Sequence, residues 1–107
     1  MFKFIQNLFN KSLEQSTAQK EKLSIQYALE AETERKLGNL DVALSCIEKA
    51  IDKEANNDMF YITQALIYKD KNDFDRALIS INKAIELNDK VIMTKEIKEE
   101  IEKNISF

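Results

Sequence analysis

Between residues 40 and 51 the apolar side chains fall at Leu40, Ala43, Leu44, Ile47, Ala50 and Ile51. Steps of three and four lay one apolar stripe along a helix of 3.6 residues per turn. The stripe returns downstream at Phe74, Ala77, Leu78, Ile81, Ala84 and Ile85, an offset of 34 residues. From Asp41 to Ile51, seven of eleven positions are identical across that offset, where ordinary residue frequencies would give about one. The correspondence reaches upstream, pairing Tyr27 with Tyr61 and Ala31 with Ala65. The chain is therefore predicted to contain an internal helical repeat.

Each stripe is preceded by a break in the pattern. Gly38 suits a left-handed residue just past a helix end, and its counterpart Asn72 is the next best side chain there. Asn39 with Asp41, and Asp73 with Asp75, then stand where an N-cap and a first-turn acid are wanted. Each unit reads as helix, tight turn, helix. The alanines of the stripes let neighbouring helices approach closely.

Amphipathic segments flank the units. Met93, Ile97, Ile101 and Ile105 step by four, with Lys95, Glu96, Lys98, Glu99, Glu100 and Lys103 between them. This predicts a helix over about 91–104, capping the second unit. At the other end Phe2, Phe4, Ile5, Leu8, Phe9 and Leu13 make a dense apolar face edged by Lys3, Gln6, Asn7, Asn10 and Lys11. Residues 14–22 are polar and either link this segment to the repeats or continue its helix. The segment has three readings: a cap on the first repeat, a self-association or partner helix, or a helix lying in a membrane surface.

The repeat resembles the tetratricopeptide repeat, which has the same period. That pattern has an aromatic residue, a small residue four later, a turn, and an Ala–apolar–Ala helix. Here those places fall on Tyr27, Ala31, Gly38-Asn39, Ala43, Ile47 and Ala50, then on Tyr61, Ala65, Asn72-Asp73, Ala77, Ile81 and Ala84. The family's closing proline is replaced by Ala55 and Asp89, and Glu30 and Glu34 stand where it prefers apolar residues. The resemblance implies an all-α fold: two antiparallel helix-turn-helix repeats, at about 24–57 and 58–89, stacked as a short solenoid. The expected organisation is one domain, with an N-terminal amphipathic helix and polar link at 1–23, repeats at 24–89 and a capping helix at 90–107.

Composition supports that class. One Gly and no Pro in 107 residues leave little for the tight turns of β-architectures. Net charge is −3, which makes nucleic acid an unexpected partner. The charge is uneven: residues 1–23 hold four Lys against two acidic residues, whereas 24–107 hold 12 basic and 17 acidic. With no His and one Cys, neither a common general base nor a zinc site is available. A single glycine excludes the Gly-rich phosphate loops. Cys46, replaced by Ser80 in the second unit, reads as a filler. The segment Asp70–Asp75 lacks the central Gly and the twelfth-position Glu of a calcium loop. No catalytic residue, cofactor or metal is expected, and the protein is expected not to be an enzyme. The single Cys and the absence of a leader-like segment point to the cytoplasm.

In the family, the first helices of successive units line a concave groove. The resemblance thus implies partner-binding positions at Ile25, Ala28, Leu29, Glu32, Arg35 and Lys36, and at Met59, Ile62, Thr63, Leu66 and Lys69. Some members clamp the C-terminal carboxylate of chaperone tails with Lys and Asn. The matching places here are Ala28, Glu32 and Thr63, so no clamp is present. The expected function is protein–protein interaction, as adaptor, assembly factor or small chaperone, binding a peptide or amphipathic helix. The alternative is a peripheral membrane protein anchored by its N-terminal helix.

Overall fold

The structure, a computed structural model, describes the backbone of residues 2–105 and the side chains of 17–105. Five helices follow one another: α1 (Phe2–Lys36), α2 (Leu40–Lys53), α3 (Asp58–Asp70), α4 (Phe74–Leu87) and α5 (Ile92–Lys103). Among the described residues there is no strand. The polar stretch 14–22 continues the helix rather than breaking it, because no Gly or Pro occurs before Gly38. At 35 residues, α1 is about 52 Å long.

The two turns follow the chemistry read from the sequence. Gly38 takes φ +84° and Asn72 φ +61°. In each, the next residue's N–H reaches back five places, Asn39 to the Glu34 carbonyl and Asp73 to the Tyr68 carbonyl, both at 2.9 Å. This Schellman arrangement closes the helix end and reverses the chain. Asp73 also accepts a hydrogen bond from the Arg76 N–H at 3.3 Å, whereas Asn39 makes no side-chain cap bond. Where the family's proline would stand, the Tyr61 hydroxyl donates to the Ala55 carbonyl at 2.8 Å and ties down the link between units.

Helices pack in antiparallel pairs, α1 on α2 and α3 on α4. One core cluster contains Ala31, Ala43, Ile47, Ala50, Phe60 and Ile67. The other contains Ala65, Ala77, Ile81, Ala84 and Ile101, with Ile62 and Ile97. Advancing the first cluster by one repeat reproduces the second, with buried Thr94 in the place of Phe60. Phe60 and Ile67 of α3 cover the first pair as Thr94 and Ile101 of α5 cover the second. Thus α5 sits as the first helix of a third unit. Its buried face is Thr94, Ile97 and Ile101, while Met93 is 44% exposed and Ile105 half-buried. The expected every-fourth stripe is corrected at Met93, because repeat packing, and not the hydrophobicity of α5 alone, sets its rotation.

Lys95, Glu99 and Glu102 of α5 stand where the earlier units have Tyr, Ala and, in turn, Glu34 and Tyr68 facing their second helix. All three are exposed and give the stack a charged end. At the start of the packed region, Ser24 is fully buried. Its Oγ lies 2.8 Å from the Glu21 carbonyl and 3.1 Å from the Glu54 carboxylate, pinning α1 to the end of α2. No helix among the described residues is long and apolar enough to cross a membrane.

Candidate protein-binding surface

The repeat places α1, α3 and α5 side by side as first helices. Three positions, each one repeat apart, then form a row: Ile25, Met59 and Met93. They are 52%, 52% and 44% exposed. Apolar side chains this open at one recurring position make a continuous strip across the first helices. Behind it Ala28 and Leu66 are half-buried and pack onto the two cores.

Three expected contact residues stand off this strip. Ile62 is 2% exposed and packs among Ala65, Ile97 and Ile101; α5 covers the side of α3 that two repeats alone would have left open. Thr63 is buried as well. Leu29 is 64% exposed but lies on the face of α1 turned away from α3, lining a shallow hollow with Glu30, Thr33, Glu34, Val42 and Cys46. The N-terminal residues Phe2, Phe4, Ile5, Leu8 and Phe9 fall outside the described side chains.

The polar end of the strip is internally paired. Arg35 binds Glu32 at 3.2 Å on its own helix and Asp70 of α3 at 3.1 Å. Lys69 of α3 binds Glu100 of α5 at 2.8 Å. Lys71 pairs with Asp41, joining the end of α3 to the start of α2. Burial works to lower the pKa of Arg35, but the hydrogen bonds to Glu32 and Asp70 outweigh it and hold the cation more firmly than usual. Its Nε is buried without a partner, a local cost of that placement. These pairs tie three first helices together, so Glu32, Arg35 and Lys69 fix the spacing of the surface more than they offer free charge. The sequence held a signal for them: in both pairs, Arg35 with Asp70 and Lys69 with Glu100, the opposite charges stand close to one repeat period apart.

Cys46 hydrogen-bonds weakly to Glu30, Sγ to Oε2 at 3.9 Å, as Ser80 one repeat later bonds Gln64 at 2.9 Å. Burial first, then the charge of Glu30, pushes its thiol pKa up, which keeps it protonated and unreactive at neutral pH. Among the described residues no group of three His, Cys, Asp or Glu side chains could hold a metal ion.

The tetratricopeptide repeat family pattern matches residues 60–91, the second unit and its exit. No curated protein matches the sequence at a significant level. Among solved structures, the first TPR of Spaghetti (RPAP3) bound to the HSP90 peptide SRMEEVD is similar with TM-score 0.77 and 19% identity, over 80% of this chain and 68% of that one. The APC/C hetero-tetramer Cut9-Hcn1 is similar with TM-score 0.74 and 17% identity, over 76% of this chain and 16% of that one. At such identities the likeness is one of fold. It agrees with the doubled core, the two left-handed turns and the register of the repeat. Residues 60–91 thus match the tetratricopeptide repeat, and the chain shares the fold of the solved proteins named above.

Proposed function

We propose that the chain is a protein-interaction module, acting as an adaptor, assembly factor or small chaperone rather than by catalysis. Its ligand is an apolar peptide or one face of an amphipathic helix, laid across α1, α3 and α5. The row Ile25–Met59–Met93 carries this reading. Met in particular adapts to varied apolar partners, having a flexible, polarisable side chain. The proteins that share the fold support it: one was solved holding a peptide and another within a hetero-tetramer. The peptide in the first is acidic, and this surface is unsuited to it. Ala28 and Thr63 offer no cation, and Glu32 brings a carboxylate already engaged by Arg35.

Panning a displayed peptide library against the full chain tests the proposal. The expected selection is enriched in Leu, Ile, Phe and Met at helical spacing. Met59→Glu should abolish binding of the selected peptides with an unchanged circular dichroism spectrum, since Met59 is half out of the fold. SRMEEVD should show no heat of binding in calorimetry. Selection of acidic C-terminal peptides, or binding indifferent to Met59→Glu, would refute the reading.

A further inference from the structure

The side of α1 turned away from α3 has no described helix packed on it. The repeat shows what that side would need to carry another layer. Phe60 and Ile67 of α3 bury against the first pair, and Thr63 between them is buried too. One repeat earlier stand Gln26, Leu29 and Thr33, all exposed. With Gln26 and Thr33 in the places of Phe60 and Ile67, too little apolar surface is left to seat a whole preceding repeat. It survives at one spot. Leu29 is 64% exposed and Val42 53% exposed, and with Cys46 they line an open hollow of about 300 Å³ between α1 and α2. A surface of that size suits one amphipathic helix, not a packed pair.

The rim of the hollow is acidic. Glu30 and Glu34 both line it, one helical turn or about 6 Å apart along the axis. Glu30 accepts the weak bond from Cys46, and Glu34 accepts from the Asn39 amide at 2.8 Å. Among the described residues neither is paired with a cation. The second unit has Gln64 and Tyr68 at these positions and Arg76 in the place of Val42, so the acidity belongs to this end of the stack and not to the repeat. A second copy docked face to face would set these carboxylates against themselves, which disfavours it. We propose that the α1–α2 end is a second docking site, taking one amphipathic helix from another protein. Apolar residues of that helix cover Leu29 and Val42. Its Lys or Arg residues, spaced one turn apart, pair with Glu30 and Glu34 and fix its register. Leu29 faces away from α3, so this site is separate from the strip Ile25–Met59–Met93. Both can be filled at once, and the chain then bridges two partners.

A displayed library of amphipathic helices, with a fixed Leu stripe and randomised flanks, panned against the full-length Met59→Glu chain tests this with the strip disabled. The selected helices should favour Lys and Arg over Asp and Glu at their flanks by at least about tenfold. Leu29→Lys and Val42→Glu, each on an exposed side chain and each checked for fold by circular dichroism, should weaken their binding at least about tenfold. The decisive arm pans a chain carrying Glu30→Lys with Glu34→Lys, which should select Asp and Glu instead. Failure to select any helix overturns the proposal, as does selection without charge preference or with the same preference in the charge-swapped chain. Binding that survives both Leu29→Lys and Val42→Glu overturns it too. Helices selected by the wild type that are lost with Met59→Glu but not with Leu29→Lys belong to the strip, which leaves the strip standing while this site fails. Sedimentation velocity of the chain alone should show no dimer that depends on Leu29. A dimer dissolved by Leu29→Lys would place a second copy in the hollow and refute the external helix.

Discussion

Replacing Ile101 and Met93 separately by Ala tests whether α5 belongs to the repeat. Both are apolar residues of one helix, and a helix docked by its hydrophobicity alone would bury both. The repeat register buries Ile101 fully and leaves Met93 44% exposed. Ile101→Ala removes three carbons from a site packed among Ile62, Ala65, Ala77 and Ile81. At about 0.8 kcal/mol per buried carbon the transfer loss is about 2.4 kcal/mol. The residual cavity adds to this, although a terminal helix partly closes it, so the expected cost is about 3 kcal/mol. Met93→Ala should cost less than about 1 kcal/mol. Thermal unfolding followed by circular dichroism would show the first variant melting roughly 10–20 °C lower and the second within a few degrees of wild type. Comparable losses, or a larger loss for Met93→Ala, would refute the placement of α5 as a third first helix.

Two other outcomes follow from the packing. Ala77 is fully buried between α3 and α4, so Ala77→Leu should overpack that contact and cost about 1–3 kcal/mol; an unchanged urea midpoint would count against the register. The raised thiol pKa of Cys46 means the folded chain holds that proton more tightly than the unfolded chain. Its contribution to stability is therefore complete below the unfolded thiol pKa and is lost as pH rises through the folded one. The pH profile of iodoacetamide alkylation should be displaced upward from that of a free cysteine, and Glu30→Gln should bring it part of the way back; an undisplaced profile refutes the assignment.

Much of the fold was legible because a repeat states its own register. The offset between Ala43 and Ala77 fixes which helices are equivalent, and Gly38 and Asn72 mark the turns by a conformation few side chains accept. Thr94 was not legible. A threonine at a buried position gives no hydrophobic signal, so the isoleucines of α5 suggested a face rotated toward Met93. Ile62 was misplaced for a related reason. Its exposure depends on a neighbouring helix, and a surface inferred from two units omits what a third covers. The continuity of α1 could have been read from the absence of Gly and Pro before residue 38. The Arg35–Asp70 and Lys69–Glu100 pairs needed the side-by-side placement of first helices before their charges could be matched.

The two cores are nearly the same object made twice, displaced along the chain by a single repeat. Each layer is closed by whatever follows it, through Phe60 and Ile67 or through Thr94 and Ile101. Duplicating residues 58–91 would therefore give a longer protein with one new junction, where the copied Phe60 and Thr63 meet the pair that Thr94 and Ile97 close now. Chain length is thus adjustable in this architecture: a single tandem duplication in the coding sequence, once that junction repacks, extends the exposed strip by one more Met at the position of Met59.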